Sequence, residues 1–253
     1  MSPIGDGTAR TGSSLDEGRV IVRLLDPDGV TAERLAAWTD RLLTAEERRR
    51  AEAFGLPRLR HEHLCTRVVQ RLSLSRLTGA DPADWRFVAP RGQRPEICAP
   101  ATFRSVRFSL SHTRGLIACA ASTGPDLGVD VEHLDSAGDV EAVAARFFAR
   151  PEAATILDTA PESRRRLFLQ HWTLKEACYK ALGSGLALPM DALRVETLGA
   201  QGIKVAFGPE IGSDPDQWQF HCGAPTSCHV LALAIRKGPR QDLAVATDWF
   251  TEL

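Results

Sequence analysis

The strongest constraint on this chain is the stretch from Phe108 to Glu132, which has room for three strands and little else. FSLSH, GLIACAAS and LGVDVE are separated only by Thr-Arg and by the turn signal Thr-Gly-Pro-Asp. Short apolar runs bounded by turn residues read as strands. VIVRLL at 20–25 reads as an earlier strand, and HVLALAIR is the clearest of several short strands across 193–247.

Helical patterns fill the intervals. They span about 31–43, 44–55 and 58–78, then 139–147, 151–158 and 162–182. The second opens on Thr44-Ala-Glu-Glu47, a capping box with Thr44 as N-cap. The third carries Leu64, Val68, Leu72 and Leu77 as its apolar face. Residues 81–100 carry turn and loop chemistry, and residues 1–18 read as a disordered leader. SHTRGLIACAAS (111–122) and SCHVLALAIRK (227–237) echo each other, each an apolar strand after a helical half. The expected fold is therefore α+β. It has two similar subdomains related by pseudo-twofold symmetry, at 19–125 and 126–253, each with helices packed on a mainly antiparallel sheet.

Composition narrows the function classes. With 43% apolar and 25% charged residues, the chain has globular rather than membrane character. The net charge of −1 gives no whole-protein field for nucleic acid or an anionic membrane, so any basic site is local. None of the six cysteines forms a CxxC pair, which argues against a zinc knuckle or redox motif. A reduced, cytoplasmic, monomeric protein is expected.

The chemistry-bearing residues begin with LGVDVE. Strand alternation sends Val129 and Val131 one way, Asp130 and Glu132 the other. The two carboxylates sit roughly 6–7 Å apart at Cα, close enough to converge on one hard cation. The plain alternative is a solvated strand face, and for this pair alone it is the better reading. WTLKEACYK (172–180) offers a third carboxylate. On a helix, Trp172, Glu176, Tyr179 and Lys180 share a side, with Lys175 beside them. Taken alone, Glu176 and Lys180 read as an exposed i,i+4 pair worth about 0.3–0.5 kcal/mol. In SLSHTRG, Ser111 and His112 close a strand and can donate to phosphate, although a hairpin-closing histidine is the commoner case. Arg48, Arg49 and Arg50 fan over a helix, partly as solvated surface. Arg91 and Arg94 occupy a Gly/Pro loop suited to bidentate phosphate contacts. Neither GxxxxGK[ST] nor GxGxxG is present, and no Ser-His-Asp arrangement is apparent.

Taken in order, FSLSHTRGLIACA, LGVDVE, the FF-x-x-x-E stretch at 147–152 and FLQHWTLKEACYKALGSGL resemble the Sfp-type 4′-phosphopantetheinyl transferases. The W-x-x-K-E-[AS]-x-x-K pattern is intact at Trp172, Lys175, Glu176, Ala177 and Lys180, and the resemblance covers about residues 44–190. It implies transfer of the phosphopantetheine arm of coenzyme A to a serine of an acyl or peptidyl carrier protein, releasing adenosine 3′,5′-bisphosphate. By motif position, Asp130, Glu132 and Glu176 would hold Mg²⁺, and Glu176 or a metal-held water would take the serine proton. Lys180 would stabilise the leaving phosphate and Lys175 would contact phosphate oxygens. His112 with Ser111, and Arg48 with Arg50, would bind the nucleotide's 3′-phosphate end. Arg94-Pro95 resembles the family's Gly-[Lys/Arg]-Pro loop, with the glycine displaced to Gly92. The carrier would dock after Arg114 or near 136–150.

Two other classes are consistent with the same residues. One is a magnesium-dependent phosphotransferase or hydrolase acting on another nucleotide. The other is a non-catalytic module that binds carrier protein or nucleotide, in which the motifs only hold the halves together.

Overall fold

A computed structural model describes residues 18–88, 94–183, 188–199 and 202–250. The 1–17 portion of the expected leader, and Arg91 of the Gly/Pro loop, lie outside the described residues. Strand β1 (Val20–Leu25) is followed by helices α1 (Ala32–Leu42), α2 (Ala45–Glu52) and α3 (Pro57–Thr78). The three-strand stretch forms as β4 (Val106–Thr113), β5 (Leu116–Thr123) and β6 (Asp126–His133). Before it, β2 (Arg86–Val88) and β3 (Glu96–Ala99) pair within the segment read as loop. Their strands are too short for a periodic signal. Trp85 and Ile97, buried against Leu74 and Phe108, hold them in place.

The second half carries α4 (Val140–Phe147), α5 (Arg150–Asp158) and α6 (Pro161–Leu182). The strands β7 (Leu193–Gly199), β8 (Gly202–Phe207), β9 (Trp218–Gly223), β10 (His229–Arg236) and β11 (Val245–Trp249) follow. Thr44 caps α2 in a true capping box, its Oγ1 accepting from Glu47 N at 3.2 Å. Helices α3 and α6 repeat one plan. Each has 22 residues, begins with proline and ends on a left-handed glycine, Gly79 (φ 78°) and Gly183 (φ 70°).

Four layers result. The first sheet runs β11-β1-β5-β4 and the second β6-β10-β9; β1 and β11 are parallel and every other pair is antiparallel. Strand alternation sorts the layers. Ile117 and Cys119 of β5 pack on Cys65, Val68 and Val69 of α3. On the opposite face, Leu116, Ala118 and Ala120 meet Leu127, Val129 and Val131 of β6 and Leu233 and Ile235 of β10. Ala232 and Ala234 of β10 pack on Leu174, Ala177 and Cys178 of α6. The order is thus α3, sheet, sheet, α6.

One strand crosses the expected division at residue 125/126. β11 leaves the second half and lies parallel to β1, so residues 245–249 belong to the first sheet. The two sheets also share one apolar layer rather than each keeping its own.

Where β4 meets β6 there is no backbone ladder. The hydroxyls of Ser109, Ser111 and Thr113 accept from the N–H groups of Val129, Val131 and His133, at 3.1, 3.3 and 3.2 Å. Edge strand β6 thereby has these donors satisfied while the sheets remain separate. Among the described residues the cysteines are free, with Cys65, Cys119 and Cys178 buried as expected. No described helix is long and apolar enough to cross a membrane.

Candidate active site

Gly128 sets how closely α6 approaches β6. A Cβ at this position would lie 2.0 Å from the Ala177 carbonyl oxygen and 2.6 Å from Ala181 N, distances no side chain tolerates. On the same strand face follow Asp130 and Glu132, while Leu127, Val129 and Val131 enter the inter-sheet layer. The missing side chain therefore brings the carboxylates of β6 against α6.

Asp130 is buried. Its Oδ1 accepts from Ser111 Oγ and from Lys180 Nζ, each at 2.8 Å, while Oδ2 is buried without a hydrogen-bond partner. Burial, then repulsion from Asp130 and Glu132, pushes the Glu176 carboxyl above its ordinary value against the pull of Lys180. Glu132 is raised as well, first by burial and then by Asp130; the Ser136 hydroxyl, donating at 2.6 Å, and Lys180 oppose the shift. One orphaned carboxylate oxygen and two mutually repelled carboxyls make an oxygen-only donor set suited to a hard divalent cation.

Lys180 spans the seam between the sheets. Besides Asp130, it donates to Val129 O at 3.1 Å on β6 and to Leu110 O at 3.4 Å on β4. Beside it opens a cleft of about 690 Å³, lined by Phe54, His63, Arg67, Arg94, His112 and Lys180 among others. Arg94 Nη1 lies 2.7 Å from Asp126 Oδ1, and His112 Nε2 lies 3.9 Å from Glu62 Oε1. Five of the fourteen described lining residues are basic and one, Glu62, is acidic, in a chain of near-zero net charge.

The structure pairs Lys180 with Asp130, sets Glu132 and Glu176 within electrostatic reach of both, and places His112 and Arg94 in the adjoining cleft. Other expected placements require correction. Ser111 is buried and bonded to Asp130, not directed at a nucleotide with His112; successive strand residues face opposite ways. Arg48 Nη1 donates to Thr39 O and Asp40 O at 3.3 Å, closing the C-terminal end of α1. Arg50 is exposed, within electrostatic reach of His63 and Arg67.

Lys175 is the largest departure. It is 0% exposed, and its ammonium donates to Glu152 Oε2 and Met190 O at 2.9 Å each and to Leu193 O. It cannot contact phosphate oxygens from there. Tyr179, one turn on, shares this buried side and donates to Pro189 O at 2.7 Å, so it lies away from Glu176. Glu152 also accepts from Val195 N at 2.8 Å. The FF-x-x-x-E stretch and the first lysine of the nonamer are thus two ends of one internal pair.

Glu62, His63 and Arg67 of α3 line the cleft without having been singled out. His63 Nε2 and Arg67 Nε are buried and lack hydrogen-bond partners. HEHLCTR places His63 and Arg67 at i,i+4, a helical-face signal hidden beneath the apolar periodicity of α3.

Known proteins are similar to this chain over about two thirds of its length. A 4′-phosphopantetheinyl transferase, HetI, of Nostoc sp. (strain PCC 7120) is 30% identical over 167 residues, covering 66% of this chain and 70% of that protein. The chain belongs to the 4′-phosphopantetheinyl transferase superfamily. That superfamily's profile matches residues 126–235, the segment holding all three carboxylates. The transferase Sfp of Bacillus subtilis (strain 168) is 29% identical over 170 residues, covering 62% of this chain and 73% of Sfp. A partial likeness is found in the crystal structure of Thermotoga maritima holo-[acyl-carrier-protein] synthase. It has a TM-score of 0.37 and 20% identity, over 45% of this chain and 63% of that one. As a superfamily member, the protein is a phosphopantetheinyl transferase.

Proposed function

We propose that the protein transfers 4′-phosphopantetheine from coenzyme A to a serine hydroxyl of an acyl or peptidyl carrier protein, with Mg²⁺ held by Asp130, Glu132 and Glu176. The observation that supports this reading is the buried, unpartnered Asp130 Oδ2, with Glu132 and Glu176 within electrostatic reach of Asp130 and a cleft carrying five basic side chains, Lys180 among them. Magnesium bound there would neutralise pyrophosphate charge and draw electron density from the phosphorus under attack. Its preference for a few carboxylates plus phosphate and water oxygens fits this donor set.

The protein's own groups supply the rest. His63, Arg67, Arg94 and His112 bind the nucleotide phosphates in the cleft, with Arg50 at its edge. Glu176, or a water that the metal would hold, accepts the proton from the carrier serine. The serine oxygen forms a bond to phosphorus as the bond to the adenosine 3′,5′-bisphosphate oxygen breaks. Lys180, 32% exposed and facing the cleft, stabilises charge on that departing group. Most of the catalysis is positioning and charge neutralisation, as phosphoryl chemistry requires. Lys175 acts only from beneath, holding α5 and the β7 side against α6.

Residues 136–150 expose Phe147 and border a groove of about 300 Å³ that reaches Glu132 and Trp172, which favours this segment for carrier docking. Both sides of the cleft come from one chain, which supports action as a monomer. The test is intact mass of apo acyl and peptidyl carriers after incubation with enzyme, coenzyme A and Mg²⁺. Gain of one phosphopantetheine, abolished by chelation, is expected. No gain on any carrier would overturn the proposal, and phosphate release from other nucleotides would point to a different phosphotransferase.

A further inference from the structure

The far end of β6 carries a cluster that the transferase chemistry does not use. His133 ends β6 directly after Glu132, and His229, at the start of β10, is its register partner. With Cys228 they bring three ligand atoms, two imidazole nitrogens and a thiol sulfur, within 4.8 Å of one another. His229 is buried, His133 and Cys228 half-buried.

The tautomer of His229 is fixed by its neighbours. Nε2 lies 2.8 Å from Arg114 O, and a carbonyl only accepts, so Nε2 carries the proton. Nδ1 keeps its lone pair, which accepts from Thr226 Oγ1 at 2.6 Å and lies 3.5 Å from Cys228 Sγ, so ligation displaces the Thr226 hydroxyl. A ligating imidazole commonly has its second nitrogen oriented by a carbonyl in this manner. Bonds of about 2.1 Å to nitrogen and 2.3 Å to sulfur at a tetrahedral angle place those atoms about 3.6 Å apart. The Nδ1–Sγ pair already stands at that separation. The third ring is less free, since His133 Nδ1 accepts from Asp135 N at 3.1 Å and Arg114 Nη2 lies 3.1 Å from both its nitrogens. Ligation exchanges these contacts, and Asp135 Oδ2, 2.6 Å from Arg114 Nη2, retains the guanidinium.

We propose that His133, Cys228 and His229 form a second metal site, for a borderline-soft ion such as Zn²⁺, with the fourth position open to solvent. Two imidazoles and a thiolate select this class of ion, whereas the all-oxygen set at Asp130, Glu132 and Glu176 selects Mg²⁺. On binding, the Cys228 thiol releases its proton to solvent as the sulfur–metal bond forms. The ion ties the end of β6 to the start of β10 and, through His229 and Arg114 O, to the β4–β5 turn.

The site is independent of phosphopantetheine transfer and is tested without it. Metal-stripped full-length protein is titrated with Co²⁺ in saturating Mg²⁺, which keeps the oxygen site filled. One equivalent should produce thiolate-to-cobalt charge-transfer absorption with the visible bands of a four-coordinate ion, and Zn²⁺ should displace it. Cys228→Ser should remove the charge-transfer band and leave the transferase rate in Mg²⁺ unchanged. His229→Gln should weaken Co²⁺ binding by more than the about 10–100-fold that loss of an orienting partner costs. Glu176→Gln should leave the band intact. Absence of the band from wild-type protein, or its survival in Cys228→Ser, would overturn the site; the wild-type titration requires no variant to fold.

Discussion

At the residue scale, ionisation carries the account. Metal-free protein holds Glu132 and Glu176 with raised proton affinity, so their contribution to stability is fully present below the unfolded carboxylate value and is lost as pH rises through the raised folded values. Thermal melts across that range should show metal-free protein losing stability on alkalinisation and Mg²⁺ restoring it. Equal pH dependence with and without Mg²⁺ would count against the carboxylate site. His63 gives a second signal. Its imidazole is pushed below the ordinary histidine value by burial first, then by Arg67 and Arg50. A polyphosphate seated beside it offsets that repulsion and raises the value. Coenzyme A binding should therefore take up a proton and tighten as pH falls from neutral. Calorimetry in buffers of different ionisation enthalpy measures the uptake, and His63→Gln should remove it.

At the element scale, α6 has two faces with separate tasks. Glu176 and Lys180 face β6, whereas Lys175 and Tyr179 face inward beneath it. Lys175→Met leaves the Glu152 carboxylate buried without its cation and should cost about 3–5 kcal/mol in denaturant unfolding. The KM for coenzyme A in the remaining folded protein should not change; a selective rise in KM would restore Lys175 to the phosphate site. Gly128→Ala places a methyl group against the backbone of α6 and should destabilise by about 1–3 kcal/mol. Because the helix must retreat, Mg²⁺-dependent stabilisation should fall with it, a loss that simple overpacking elsewhere in β6 would not produce.

The same two residues show what the sequence could reveal. Alternation in LGVDVE separates the carboxylates from the valines correctly, because a strand's two faces follow from its period. It says nothing of why the glycine is there. That reason lies in the Ala177 and Ala181 backbone, about fifty residues away. The burial of Lys175 is not legible in the sequence, because motif spacing does not settle which helix face is buried. Its partner Glu152 sits on a separate helix, with FF-x-x-x-E as the only trace in the sequence.

At the scale of the whole molecule, two helix-and-strand halves meet along a line of hydroxyl bonds rather than a continuous sheet. The helix order and the strands from β4 to β6 were legible from periodicity and turns. The return of β11 to β1 was not, since it is a parallel pairing between the two ends of the chain with no local signature. The cleft was equally hidden, because its walls come from α3, β4 and α6 and only the packed layers bring them together.

Central to the proposed function is that the three carboxylates at the seam hold magnesium for transfer. Single-turnover transfer to an apo-carrier, measured against Mg²⁺ concentration for wild type and Glu176→Gln, tests it most directly. Wild type should rise from no transfer in chelator to saturation. The variant, with its melting temperature in chelator no lower than wild type's, should be slower by about 10²–10³-fold or more at every Mg²⁺ concentration. A folded Glu176→Gln enzyme that transfers at the wild-type rate, or wild-type transfer that persists in chelator, would contradict the account.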